Sequence, residues 1–362
     1  MDTCIKMLSA IFNCMVTLCE FCNQRFGKRF KEGECYVCKG NVERIIKNIE
    51  MARIEIPVKN AEYFSISTTI PEEVLLREED VFDIALGESI KSWLNAKVVE
   101  ILAKKTNLKY NASSSDVNFT IDWAGNIFTS VKSLFIFGRY KKYSSELSQS
   151  RGYWKGKGSV EETIGRIMQE ECEGTGHSLH ASGREDVDAL NFAGRPFVME
   201  ISGAKERKPN LERIGERINK TNLVEVFDLK LVDGKVVGII TDSHFDKTYR
   251  VYLSERLSEE EMKKIKEGIE GKVISQFTPK RVEKRRVKKV RKRRIYAVEF
   301  GEDGEGQYAE IEAEAGTYIK ELINGDGGRT KPSFSEILGR PLECKKLIVI
   351  AIKDDFIKDV VG

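Results

Sequence analysis

Proline is scarce in this chain, with 7 among 362 residues, while 41% of the residues are hydrophobic. That balance excludes a proline-rich or polar disordered scaffold and leaves enough apolar material for packed cores. A bilayer-spanning run is also missing. The longest apolar stretch, Met7 to Cys19, is broken by Ser9, Asn13 and Thr17 and falls short of the roughly 20 residues a transmembrane helix needs. Only Lys6 supplies a side-chain cation before it and no A-x-A-type site follows, so it reads as a buried helix of a cytoplasmic protein with no membrane partner. No G-x-G-x-x-G follows a strand pattern, and G-x-x-x-x-G-K-[ST] and H-E-x-x-H are both absent, so nucleotide-driven catalysis has no support. Histidine is limited to 3 residues. His177 and His180 lie near Cys172, but with no fourth ligand in view they predict packing or hydrogen bonding, not a metal.

At about 100 to 200 residues per domain, the length predicts two or three domains. The net charge of +3 conceals an asymmetry, because Lys280 to Arg294 (KRVEKRRVKKVRKRR) holds 11 basic residues and one acid, leaving the remainder net acidic. Such a concentration suits a polyanion, since each phosphate neutralised by Lys or Arg releases counterions. A solvated basic face or a localisation signal is the bland alternative. The run lies between two strand-like segments, 272 to 278 and 295 to 300, which favours a folded groove wall over a free tail.

Of the eight cysteines, four fall in one twenty-residue window as Cys19-Glu-Phe-Cys22 and Cys35-Tyr-Val-Cys38. Two C-x-x-C knuckles joined by a short loop can offer four thiolates tetrahedrally to a structural zinc, and cations in the loop GKRFKEGE favour the thiolate form. A disulfide pair is disfavoured by the cytoplasmic reading, and redox chemistry would need only one knuckle. Cys4, Cys14, Cys172 and Cys344 lack any such pattern and read as small hydrophobes.

Residues 42 to 52 and 90 to 105 have helical spacing, 63 to 70 alternates like a strand, and 118 to 122 with 127 to 137 flank Ala124-Gly125-Asn126 as a hairpin. The segment Phe137-Gly-Arg-Tyr-Lys-Lys-Tyr143 interleaves aromatics with cations, which suits RNA stacking or, equally, a snorkelling domain edge. The polar stretch 144 to 158 marks the domain junction, dividing an accessory domain, 1 to 150, from a second domain, 151 to 362. Ser159 and Ser258 each open a helix with capping-box spacing. Strands are expected at 196 to 202, 224 to 231, 235 to 241, 247 to 253, 272 to 278, 295 to 300, 307 to 315 and 346 to 352, with helices at 210 to 220, 259 to 269 and 317 to 324. So many irregularly interrupted strands imply an α+β fold with a large mixed sheet.

The loop Gly176 to Leu190 carries HASGREDVD and leads through Gly194-Arg-Pro-Phe197 into a strand. Taken alone, carboxylates in such a loop are usually solvated or capping. HASGREDVD followed by GRPF resembles the tRNA pseudouridine synthase family Pus ten of archaea and eukaryotes. Three further motifs carry the same resemblance: Lys247-Thr-Tyr249, Gly316-Thr-Tyr-Ile-Lys-Glu321 and Gly325-Asp-Gly-Gly-Arg-Thr-Lys-Pro-Ser333. Phe137-Gly-Arg-Tyr140 and the paired C-x-x-C residues resemble the family's N-terminal zinc and THUMP-containing module. The chain departs from the family's GREDVDVR at Ala189-Leu190, is one residue shorter before Gly194, and has Gly327 where the family often has a larger residue.

The resemblance implies a pseudouridine synthase-type mixed or antiparallel sheet in the catalytic domain, preceded by an α/β module with zinc knuckles at 19 to 38 and a THUMP-like part at 41 to 145. The implied activity is isomerisation of T-loop uridines of tRNA, with no organic cofactor, by a monomer. It makes Asp186 the nucleophile and Lys320 the cation that offsets the cost of burying its charge. Tyr249 would stack on the target base, and Arg184 and Tyr318 would complete substrate binding, Arg184 by bracing the position vacated when the uridine flips out. Asp188 reads as structural. The rival readings are another THUMP-containing tRNA-modifying enzyme and a non-catalytic RNA-binding protein. Neither a SAM-binding turn nor a pyrophosphatase-type loop is present to support the first.

Overall fold

The computed structural model describes residues 16–151, 158–184, 186–284 and 286–361. They form two compact units: residues 16 to 133 with Ser202–Lys208, and residues 134 to 201 with 209 to 361. Composition places the junction at 144 to 158. The compact units divide at Ser133 instead, because the strand Leu134–Lys142 pairs inside the second unit's sheet. The apolar stretch from Met7 to residue 15, with Cys4 and Cys14, lies outside the described residues.

The first unit is α/β. Its four-stranded sheet runs Lys109–Tyr110, Tyr63–Thr68, Val117–Ile121, Ile127–Val131. The last two strands form the expected hairpin, but its second arm stops at Val131 and does not run on to 137; the turn is closed by Asp122, whose Oδ1 accepts from the backbone N–H groups of Ala124 and Asn126 at 2.9 and 2.8 Å. Gly125 takes the left-handed conformation between them, at φ +84°. Val42, Ile45, Ile46 and Ile49 bury one face of the helix Asn41–Met51 as their spacing requires, and the helix Ile90–Thr106 starts where Ser89 accepts from Ser92 N–H. The helix Glu72–Phe82 went unread in the sequence. Its acidic surface leaves only Val74 and Val81 as fully buried apolar contacts.

The second unit is α+β, built on ten strands. Along the sheet they run Val224–Val232, Leu134–Lys142, Leu190–Ser202, Cys344–Ile352, Lys247–Leu253, Gly306–Ala313, Val290–Asp303, Val273–Phe277, Thr330–Lys331, and Gly176–Ala181 pairs with Leu190–Ser202 off this path. Along that path every neighbour pair is antiparallel except one. Leu190–Ser202 and Cys344–Ile352 meet in parallel through Leu190 opposite Ile348 and Asn191 opposite Val349. That short seam joins two antiparallel halves, and the Asp186 loop enters the sheet directly at it.

Two expectations need correcting. Residues 235 to 241 form a helix, Lys235–Asp242, not a strand. Val236 and Ile240, four apart, both pack into the cluster of Phe137, Val198 and Phe245, so burial at helical spacing overrides the β preference of a Val- and Ile-rich run. The segment Phe137 to Tyr143 is no sheet edge, because its strand lies between Val224–Val232 and Leu190–Ser202, and only Tyr143, past the strand's end and bonded to Glu225, is an exposed aromatic of it. Phe137 and Tyr140 are buried there, Lys141 pairs with Glu225, and Arg139 pairs with Asp354 at 2.7 Å. The histidines are held by hydrogen bonds, His177 Nδ1 to Gln169 at 2.6 Å and His180 Nε2 to Glu200 at 3.0 Å.

Candidate active site

The Asp186 loop leaves the strand Gly176–Ala181 and returns as Leu190–Ser202. Gly183, at φ +65°, starts the turn, and Ala189 ends it, buried against the core with its N–H donating to the Asp186 carbonyl at 3.2 Å.

Facing the loop is the short helix Ile319–Asn324, whose Ile319, Leu322 and Ile323 anchor it in the same core cluster as Ala189. Its start is fixed by a reciprocal pair, Tyr318 N–H to Gln276 Oε1 and Gln276 Nε2 to the Tyr318 carbonyl, both 2.9 Å. With that register set, Lys320 points to the two aspartates. Its Nζ lies 2.5 and 2.6 Å from the Asp188 oxygens and 3.8 Å from Asp186 Oδ2. The sequence expectation gave Lys320 to Asp186. The geometry brings both carboxylates to Lys320, with Asp188 nearer.

The close partner of Asp186 is Arg281, which sequence reasoning missed. Its Nη1 donates to Asp186 Oδ1 at 2.5 Å, while Nε and Nη2 grip Glu321 at 2.6 and 3.2 Å. Glu321 is buried and adjoins Lys320, so one guanidinium links the loop to the helix. Burial would lower the Arg281 pKa, but the Glu321 hydrogen bond and the charges of Asp186 and Glu321 raise it. Burial pushes the Asp188 carboxyl up, yet the hydrogen bond and charge of Lys320 hold it below the ordinary carboxylate range. The sequence did contain a signal for Arg281, as the second residue of the basic run, and for Glu321, as the end of GTYIKE.

The motif from Gly325 to Ser333 shapes the ground beneath Arg281. Asp326 accepts from Lys280 N–H at 3.1 Å, Arg329 donates to the Thr278 carbonyl at 3.0 Å and stacks over Phe277, and Ser333 caps the next helix. Gly327 sits at φ +64°, a left-handed conformation that glycine adopts without steric cost.

Tyr249 lies on Lys247–Leu253 opposite Val349, which in turn stands opposite Asn191 at the parallel seam. Two strand spacings separate it from the strand that the loop enters, about 10 Å. It packs on the cluster holding Ala189 and Ile319, the neighbours of the site's acids and of Lys320. Tyr318 carries Arg291 over its ring at 5.8 Å, and Arg184 is exposed two residues before Asp186.

In the first unit, the Sγ atoms of Cys19, Cys22, Cys35 and Cys38 all lie within 4.8 Å of one another, and Cys19 and Cys38 are 3.6 Å apart. An edge of about 3.8 Å is what four thiolates at 2.3 Å from one ion would have. Cys38 N–H donates to Cys35 Sγ at 3.4 Å, which turns the second knuckle inward. Hydrogen bonds among the thiols hold Cys35 below the ordinary thiol range and Cys22 above it. Among the described residues this is the one cluster suited to a metal.

A protein-family model described as "Pus10, C-terminal" matches residues 135–353. The tRNA pseudouridine synthase Pus10 of Thermoplasma acidophilum is 34% identical over 328 residues, covering 88% of this chain and 84% of that one. The Pyrococcus furiosus protein of the same name is 32% identical over 341 residues, covering 91% and 87%. Among solved structures, a chain of a Cbf5-Nop10-Gar1 complex overlays at a TM-score of 0.34 and 16% identity, covering 60% of this chain and 50% of that one.

Proposed function

The chain belongs to the Pus10 family of tRNA pseudouridine synthases, and from that membership we propose that it isomerises T-loop uridines of tRNA, at position 54, position 55 or both, with Asp186 as the nucleophile. In this reaction the N1–C1′ bond breaks, the uracil turns, and C5 bonds to C1′. The C5 proton leaves and N1 takes one up, so the product is an isomer and no oxidant or reductant is consumed.

The observation that carries the reading is the setting of the Asp186 carboxylate, with Arg281 at 2.5 Å and Lys320 at 3.8 Å. Two cations oppose the desolvation that a bound base would impose and fix the direction in which the oxygens point. Tyr249, on the sheet beside this group, offers a ring face to a base lifted out of its stack, which costs a few kcal/mol. Arg184 and Tyr318 are the further substrate contacts. The first unit serves as the THUMP-containing RNA-binding module, with a structural zinc closed by Cys19, Cys22, Cys35 and Cys38, leaving no coordination position for chemistry. The exposed cations of the 280 to 294 run bind tRNA phosphates. Pseudouridine yield on a T-loop substrate tests the reading: Asp186→Asn is expected to bind tRNA and form no product, and appreciable turnover by this variant removes Asp186 as nucleophile.

A further inference from the structure

Two buried cations of the second unit are absorbed by neither the core nor the proposed chemistry. Lys142, at 1% exposure, closes the strand Leu134–Lys142, and Arg195, at 2%, lies in the neighbouring strand Leu190–Ser202. Each donates hydrogen bonds to main-chain carbonyls. Lys142 Nζ donates to Val187 at 2.7 Å, to Leu147 at 3.1 Å and to Asp186 itself at 3.4 Å. Arg195 Nη2 donates to the carbonyls of Ser182 and Gly183, the latter at 2.9 Å.

Leu147 apart, the acceptors lie toward the two ends of one loop. Arg195 holds its entry, residues 182 and 183, and Lys142 its far side, residues 186 and 187. Both anchors sit on adjacent strands of the sheet, where Tyr140 opposes Arg195 and Lys142 opposes Asn191. A buried cation is costly unless its donors are satisfied, so its place in the interior is tied to the loop adopting this conformation. The converse holds too, because carbonyls released from an ammonium in a water-poor cleft have no equal partner.

We propose that Lys142 and Arg195 are positioning residues that clamp the Asp186 loop from within the sheet, setting where the carboxylate stands before substrate arrives. The proposal rests on the reading of Asp186 as nucleophile. Their bonds to the loop run to its backbone carbonyls, so the clamp acts on the loop's main chain. A displacement of about 1 Å in a reacting group can cost on the order of a hundredfold in rate.

Lys142→Met tests this, since it keeps an unbranched apolar arm and removes the ammonium. Single-turnover pseudouridine formation at saturating tRNA, tRNA Kd and Tm are measured together, with rates taken well below the variant's Tm. The expected result is a rate loss of about tenfold or more with Kd within about twofold of wild type, and recovery of most of the rate in Lys142→Arg, which restores cationic donors. A merely structural lysine would lower Tm and leave the rate of the folded protein intact. A folded Lys142→Met protein turning over within about twofold of wild type overturns the proposal. If that variant does not fold, Lys142→Gln replaces it: its shorter arm with two donors is expected to lose about tenfold, and wild-type turnover again overturns the clamp. Asp186→Asn run in parallel separates the two ideas. Turnover by Asp186→Asn defeats the nucleophile, whereas a dead Asp186→Asn beside a wild-type Lys142→Met defeats the clamp alone.

Discussion

Asp186 and Asp188 are two residues apart and share Lys320 unequally, with Arg281 on Asp186, which makes them a controlled pair. Asp186 is bonded to Arg281, whose second contact is the buried Glu321, whereas Asp188 is more exposed and takes the nearer grip of Lys320. Asparagine is nearly isosteric with aspartate but neutral and a poor nucleophile. Asp186→Asn is therefore expected to lose more than about a thousandfold in single-turnover rate, and Asp188→Asn no more than about fivefold, with tRNA Kd close to wild type in both. Equal losses in the two, tracking Tm, would mark the loop as structural only. The Lys320 pair also has a pH signature. Because the folded Asp188 carboxyl is held below its ordinary range, the unfolded chain takes up this proton at higher pH than the folded one. The pair's contribution is complete above about pH 5 and fades as pH falls through the lowered value, and its exposure limits it to about 1 kcal/mol or less. The Tm difference between wild type and Asp188→Asn should accordingly shrink as acid is added, and a difference that grows would contradict the assignment.

At the scale of elements, the cysteine knuckles make the sharpest claim. Four side chains brought within 4.8 Å, three of them buried, crowd thiols that a bound ion would convert to thiolates and separate. About one zinc per chain is expected, released on acidification or by a thiol-reactive mercurial, with loss of near-ultraviolet signal from Trp93, which packs edge-on to Phe21 beside Cys22. A metal-free protein with an unchanged spectrum would defeat the claim. These knuckles were legible because ligand spacing is local. So were the helices opened by Ser159 and Ser258, since a cap and an apolar repeat lie within a dozen residues; at Ser258 both halves of the capping box form. Lys235–Asp242 was misread because a Val- and Ile-rich run of that length fits either period, and only the position of Phe137, Val198 and Phe245 decides between them. The same limit hid Arg281. Its bond to Asp186 spans 95 positions in sequence, and nothing nearby distinguishes this arginine from the other cations of its run.

Across the molecule the basic run therefore divides into two tasks, and the division can be measured. Arg281, at its start, is committed to Asp186 and Glu321. From Arg286 onward the side chains are largely exposed, with Lys288, Lys289 and Lys292 among them and Arg291 half-buried over Tyr318. The strand Val290–Asp303 gives that part a fixed backbone, so its cations form a surface and not a mobile tail. Exchanging Lys288, Lys289, Arg291 and Lys292 for Gln removes up to four phosphate contacts. The slope of log K against log salt should then flatten by at most about 3 to 4, and tRNA affinity at low salt should fall, while single-turnover rate at saturating tRNA changes little. Arg281→Gln should behave in the opposite way. Its loss leaves Glu321 buried without this cation and Asp186 with Lys320 at 3.8 Å, so the rate should drop by about ten- to a hundredfold and the salt slope should stay near wild type. Measuring both variants across one salt series distinguishes the outcomes. If the quadruple variant lost its rate and kept its slope, the run would belong wholly to the reaction centre, and if Arg281→Gln lost slope and kept its rate, its bond to Asp186 would have no part in turnover.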